Sequence, residues 1–131
     1  MKKSPIQNLR IIVPDTSYAT PISALIMSLM DAFIEPGADT SEFRRSVSPK
    51  AEAEYLNDTR YWYRVALIDG AFAGVISLRD HTHLTHLFIA PNLQRRGIGC
   101  ALWETALEYL RQVHAQVVTV KAAPEAISFY E

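Results

Sequence analysis

The sequence predicts an α/β domain built on a mixed, mostly antiparallel sheet. Three observations carry this. YWYRVALI and AFAGVISL flank Asp69-Gly70, a hairpin signal, because a two-residue type I′ turn needs positive φ at both positions. Leu84 to Val113 reads as a strand, a glycine-containing loop and a long amphipathic helix. Val117, Val118 and Val120 follow as a last strand. A helix connects it to the preceding strand, so those two should run parallel.

At 131 residues, 49% hydrophobic and 21% charged, the chain suits one globular domain with a continuous core. A net charge of −1 gives no field toward nucleic acid or an anionic membrane, and neither is expected as a partner. Cys100 is the sole cysteine, which excludes an intramolecular disulfide and a cysteine zinc cluster. MKKSPIQNLRIIV has two lysines and no long apolar run behind them. Neither a signal peptide nor a membrane anchor is expected, and the cytoplasm is the default location.

In order, Arg10 to Val13 is a short β-branched run closed by Pro14, the first expected strand. Thr20-Pro21 reads as a cap followed by proline at the first helical position. Ile22, Leu25, Ile26, Leu29, Met30 and Phe33 then recur at helical spacing to about Glu35, and Pro36-Gly37 ends the helix. Asp39 to Asp58 is polar and helical in character. Ser48-Pro49 repeats the cap signal, and Ala51, Tyr55 and Leu56 give a modest apolar face. Arg44, Arg45 and Lys50 read as a solvated face, though such a segment can border a site in a layered fold.

From Tyr61 the period becomes strand-like, Arg79-Asp80-His81 makes a second reversal, and Thr82 to Ile89 is the third consecutive antiparallel strand. Leu84, Leu87 and Ile89 do not fit one face of period two. A bulge near Thr85-His86 accounts for this, and so does a strand buried on both faces. The helix after the loop has two apolar stripes: Ile98, Leu102, Thr105, Ala106, Tyr109 and Val113, then Trp103, Leu107 and Leu110. Glu104, Glu108 and Arg111 face water. Pro124 opens a final helix, AISFYE.

The loop Gln94-Arg95-Arg96-Gly97-Ile98-Gly99 is the candidate site. Its glycines allow a tight bend and close approach of the backbone. Free N–H groups at the helix start and the positive end of the dipole favour an anion. A plain turn before a helix would look the same. The Gly-Lys-Ser/Thr ending of the Walker loop is missing, and GxGxxG is absent. A cradle without a magnesium-binding hydroxyl suits a phosphate that is bound rather than hydrolysed.

HLFIAPNLQRRGIGCALWETAL resembles the central motif of the GNAT superfamily of acetyl-CoA-dependent N-acetyltransferases, Gln/Arg-x-x-Gly-x-Gly/Ala, matched by Gln94, Gly97 and Gly99. VKAAPEAISFYE resembles the family's fifth strand and following helix, with Ala126, Phe129, Tyr130 and Glu131 on an Ala-x-x-Phe-Tyr-Glu signature. The resemblance covers nearly the whole chain. It implies a GNAT-like acyl-CoA N-acyltransferase fold over residues 1–131, with helices on both faces of the sheet and one parallel strand pair around the cofactor site.

The resemblance also implies roles by position. Backbone N–H groups from Arg95 or Arg96 through Gly97, Ile98, Gly99 and Cys100 would cradle the coenzyme A pyrophosphate. The strand edge at Leu87, Phe88 and Ile89 would pair with pantetheine amides, at the family's bulge. Tyr130 would lie near the thioester sulfur, where a phenol of pKa about 10 can protonate a departing thiolate of pKa about 8.5. Relatives often use a glutamate of the fourth strand as base. Here His81, His83 and His86 stand in that region, and His83 lies nearest the aligned position. As a metal set the histidines are poorly arranged, since alternation puts His81 and His83 on one face and, without a bulge, His86 on the other. No metal is expected. Cys100, in the first helical turn, offers a ping-pong alternative to direct transfer.

Two departures from the family pattern bear on this reading. Ala122-Ala123 stand where relatives carry Asn or Ser. Relatives also continue beyond Phe-Tyr-Glu with two further strands, and here Glu131 is the last residue. The expectation is a domain truncated after its last helix, forming a homodimer through the exposed strand edge. The expected function is acetyl transfer from acetyl-CoA to a primary amine of a small molecule or peptide. The alternative is a catalytically impaired CoA-binding or oligomerisation module.

Overall fold

The computed structural model describes residues 8–32, 34–114 and 119–120. Among these residues five strands, β1 (Leu9–Ile12), β2 (Tyr61–Ile68), β3 (Ala71–Arg79), β4 (His83–Ile89) and β5 (Thr119–Val120), form one sheet in sequence order. The first three neighbouring pairs are antiparallel and β4–β5 is parallel. Asp69 and Gly70 join β2 to β3 with φ of +52° and +80°, the double positive value the turn demands. Val117 and Val118 of the expected last strand, and the final helix with Tyr130, lie outside the described residues.

Among the described residues four α-helices flank the sheet: α1 (Ala19–Asp31), α2 (Ser41–Ser46), α3 (Pro49–Leu56) and α4 (Ile98–Gln112). They divide the core in two. Trp62, Ala66, Ile76, Leu78 and Leu84 meet Ile98, Leu102, Ala106 and Leu110 of α4 on one face. Tyr63, Val65, Leu67 and Val75 meet Ile22 and Ile26 of α1 and Val47 on the other. Both faces of β2 and β3 are therefore covered, so their buried residues run almost continuously instead of alternating. The α4 stripe recurs every fourth residue, and each fully buried Leu or Ile contributes about 2 kcal/mol.

Local signals hold with adjustments. Ser48 accepts a hydrogen bond from Ala51 N at 3.1 Å and Pro49 opens α3, as the cap-plus-proline pattern requires. At α1 the cap differs from expectation. Asp15 accepts from Ser17 N at the head of a 3-10 turn, Thr16–Tyr18, which runs straight into α1. Thr20-Pro21 thus falls inside the first turn, where a missing N–H costs nothing because it has no helical acceptor. The helix also stops at Asp31, short of Glu35. In α4, Leu110 joins the buried stripe and Val113 is 37% exposed, because the helix ends at Gln112. Val13 is likewise 71% exposed, one residue beyond β1. None of the described helices is long and apolar enough to cross a membrane.

The irregularity in β4 is a bulge. Ser77 pairs with His86 and Leu78 with Leu84, so Thr85 is the extra residue. Its hydroxyl donates to Ser77 O at 3.1 Å and also meets the Ser77 hydroxyl. The extra residue resets the phase of the strand. Leu84, Leu87 and Ile89 all pack toward α4, while Phe88 packs with the α1 side.

Candidate active site

The site is assembled from the end of β4, the loop after it and the first turn of α4. Gly97 has φ +88° and is the N-cap of α4, with no side chain capping the helix. Ala101 N makes the first helical bond, to Gly97 O at 3.0 Å. The amides of Ile98, Gly99 and Cys100 precede it and have no helical acceptor, so they face outward at the positive end of the dipole. Ile98 is buried, its side chain in the α4-side core. Arg95 also adopts a left-handed φ of +67°, and Arg95 and Arg96 are exposed. Successive amides in such alternating geometry form an anion-sized concavity. Gln94 reaches back to donate from Nε2 to Ile89 O at 3.1 Å, tying the loop to the strand it follows.

Among the described residues, parallel pairing of β4 with β5 comprises His83↔Thr119 and Leu84↔Val120, both before the bulge. Leu87 and Ile89 send their side chains into the α4-side core and Phe88 into the other, so only their backbone can meet a ligand at that edge. Gly74 lets β3 and β4 approach closely here. A Cβ on it would lie 2.7 Å from Ile89 Cδ1 and 2.8 Å from Phe88 O.

The three histidines diverge. His81, in the reversal before β4, is exposed and meets the Tyr109 hydroxyl. His83 is half-buried at the start of β4, before the bulge, opposite Arg79. His86, after the bulge, turns to the α1 side and meets Glu52 of α3, with Nε2 at 3.1 Å from Oε2 and 3.3 Å from Oε1. Among the described residues no group of three or more His, Cys, Asp or Glu is arranged to hold a metal ion. Cys100 is a free, half-buried thiol.

Glu52 is a residue that sequence reasoning missed. It is fully buried, and the Tyr63 hydroxyl donates to its Oε1 at 2.8 Å. Burial first, then the Glu52 charge, push Tyr63 ionisation far above the ordinary phenol range, so this hydroxyl remains a donor. One signal for Glu52 was present. It precedes Tyr55 and Leu56 by three and four positions, which places a carboxylate on the apolar face of α3. Arg44, read as solvated, pairs with Asp31 at 2.6 Å on the surface, and Arg45 and Lys50 are exposed.

A cleft of about 170 Å³ opens beside His86, lined by Ser46, Val47, Tyr55, Tyr61, Arg79 and Thr85. A larger groove, about 460 Å³, runs along the outer side of α4 by Trp62, Arg64 and Tyr109, on the face away from Glu52 and His86. The smaller cleft is the one that meets the bulge.

The Acetyltransferase (GNAT) domain family model matches residues 28–131. The chain is 33% identical over 94 residues to the peptidyl-lysine N-acetyltransferase YiaC of Escherichia coli (strain K12), a match covering 70% of this chain and 60% of that protein. It therefore spans about three fifths of the length of that curated relative. Among solved structures, PaiA N-acetyltransferase from Thermoplasma acidophilum in complex with coenzyme A is similar with a TM-score of 0.78 at 15% identity, covering 93% of this chain and 86% of that one. A ribosomal-protein-alanine N-acetyltransferase from Brucella melitensis biovar Abortus 2308 gives 0.70 at 16% identity, covering 94% and 87%. At these identities the likeness is one of fold.

Proposed function

The chain belongs to the GNAT acetyltransferase family, whose members use acetyl-CoA, and from that premise we propose that it moves an acetyl group from acetyl-CoA to a primary amine of a small molecule or peptide. One observation carries this reading. Beyond its bulge β4 leads directly, through the loop, to a helix N-terminus that no side chain caps, and among the described residues β4 pairs with β5 only before that bulge. Pantetheine would add to the edge at Leu87, Phe88 and Ile89 through main-chain hydrogen bonds. The pyrophosphate would rest on the amides from Arg95 to Cys100, beside the Arg95 and Arg96 charges, with Gln94 fixing the loop. That direction of travel brings the thioester toward Thr85.

Transfer is direct, within a ternary complex. The amine must lose a proton to attack the thioester carbonyl, and backbone N–H groups must steady the developing oxyanion. His83 or a water is the base expected by position, and Tyr130 the acid for the thiolate. A lysine-bearing peptide is the first acceptor to try, since the curated relative is a peptidyl-lysine acetyltransferase. A homodimer through β5, the last strand of the described sheet, is the proposed assembly, and the cytoplasm the proposed location. Light scattering at micromolar concentration tests the dimer.

Calorimetric titration with acetyl-CoA, followed by thiol release on a panel of amines, tests the activity. Saturable binding with amine-dependent release supports it, and a Tyr130→Phe variant should release CoA more slowly. No binding would sink the proposal. Binding without turnover on any amine would leave a CoA-binding module instead.

A further inference from the structure

We propose that the small cleft beside the bulge receives the side chain of a peptide lysine, and that Arg79, together with Arg45 and Lys50, selects lysines that stand next to an acidic residue. The inference rests on the acetyl-transfer reading above and names its acceptor class. Its observation is a narrow aromatic slot at the bulge. Among the described residues that line it there is a guanidinium and no exposed carboxylate.

Size and walls set what can enter. The cleft holds about 170 Å³, below the roughly 300–1,000 Å³ of pockets that enclose a whole small molecule. It admits one narrow chain. Tyr55 and Tyr61 form an aromatic pair there, with ring centroids 4.9 Å apart, and Val47 adds an apolar surface. The Tyr55 hydroxyl donates to Ser46 O at 2.9 Å, which fixes its ring against the end of α2. His86 is a fixed wall as well, because both its ring nitrogens meet acceptors, Glu52 and Thr85 O. Aromatic faces suit the aliphatic stem of a lysine and attract its ammonium. A lysine entering along them would bring its nitrogen to Thr85, where the thioester would arrive.

The charges lie further out. Arg79 ends β3, and its side chain is 45% exposed, so the guanidinium stands at the mouth of the cleft. Its ion pair among the described residues is Nε to Asp80 at 3.7 Å, too long for a hydrogen bond. The planar fork of donors is thus available to a carboxylate. On the helical side, Arg45 immediately precedes Ser46, and Lys50 follows Val47 by three positions. Both are exposed and form no ion pair among the described residues, whereas Arg44 is engaged by Asp31 and Arg60 by Asp58. Glu42 and Glu54, the exposed carboxylates of α2 and α3, do not line the cleft. A group read at the mouth, outside the slot, belongs to the residue beside the lysine. An Asp or Glu there would meet Arg79 while the lysine fills the slot. A polyamine would bring further positive charge against the same three cations.

The test compares two peptides that differ only in the residues flanking a single lysine, Glu in one and Gln in the other, with the N-terminus blocked so that the lysine is the sole amine. Calorimetry establishes acetyl-CoA binding to the full chain, and CoA release then gives kcat and KM for each peptide. The acidic peptide should have the higher kcat/KM by about tenfold at low ionic strength, the scale that two exposed charge pairs supply, and the difference should sit in KM. It should shrink to about threefold or less in about 0.5 M salt. Arg79→Gln should bring the ratio of the two kcat/KM values toward one, and Arg79→Glu should invert it. A purely structural role for Arg79 would lower both peptides alike and leave the ratio unchanged. Arg45→Gln combined with Lys50→Gln reads the same ratio if the Arg79 variants do not fold. A wild-type ratio near one overturns the proposal, as does a ratio that survives in every variant or a preference for free lysine or a polyamine over the acidic peptide. In each of those cases acetyl-CoA binding and amine-dependent release persist, so acetyl transfer stands. If the wild type neither binds acetyl-CoA nor releases CoA with any amine, both readings fall.

Discussion

Gly74→Ala puts one methyl group into the contact that spaces β3 from β4. The added Cβ would lie 2.7 Å from Ile89 Cδ1 and 2.8 Å from Phe88 O. Carbon atoms prefer about 3.5–4.0 Å, so both neighbours must move. The two are not equivalent. Ile89 Cδ1 ends a flexible side chain and can rotate away. Phe88 O belongs to a strand held by pairing with Val75. The backbone part of the clash therefore persists, and overpacking of this kind costs about 1–3 kcal/mol. Against it, alanine narrows the unfolded ensemble, which favours folding by about 0.4–1 kcal/mol. The clash should win by about 1–2 kcal/mol, lowering Tm by roughly 3–8 °C for a domain of this size. Thermal unfolding followed by circular dichroism measures it. Ile89→Val deletes the Cδ1 methyl alone, and the double variant should recover only part of the loss. A Gly74→Ala protein as stable as the wild type, or full rescue by Ile89→Val, would refute the backbone clash. Displacement of Phe88 should also weaken acetyl-CoA binding, which calorimetry reads.

Three further outcomes are expected. Gly97→Ala forces a side chain into φ +88° and should cost about 1 kcal/mol in urea unfolding while weakening acetyl-CoA binding; unchanged affinity would detach the loop from the cofactor. Glu52→Ala leaves Tyr63 and His86 without their acceptor in the core and should destabilise by about 3 kcal/mol, measured by the urea midpoint; a loss under about 1 kcal/mol would mean water replaces the carboxylate. Asp58 is held below its ordinary value of 3.8, first by the Arg60 side chain and then by the Arg60 N–H, and Asp15 and Asp39 are lowered by Ser17 and Ser41. A carboxylate with a lowered folded pKa adds stability above 3.8 and loses it as pH falls through its folded value. Asp58→Asn should therefore lower the urea midpoint at about pH 6 and not at about pH 2, and an equal effect at both would contradict the assignment.

The sequence by itself determined what neighbours along the chain decide. Ser48-Pro49 starts α3 because its cap bond spans three residues. Asp69-Gly70 turns the hairpin because φ is a local preference. Gly97 before a helical stripe predicts outward amides without any knowledge of the rest of the fold. Where local signals compete, they misplace boundaries. Thr20-Pro21 is as good a cap pattern as Ser48-Pro49, yet Asp15 begins the turn one step earlier.

Tertiary structure alone decided which side chains meet. Whether β4 carries a bulge or is simply covered on both faces could not be read from its pattern. The extra residue, Thr85, is set by its register against β3. That register turns His86 to the α1 side, toward Tyr63 and Glu52. Glu52 reaches His86 across 34 positions of sequence. No periodicity reports a contact at that distance, because it depends on how α3 packs over the sheet. The loop was legible because its chemistry is backbone chemistry. The carboxylate–imidazole pair beside the expected thioester was not, because side chains from separate layers meet only once the core has closed.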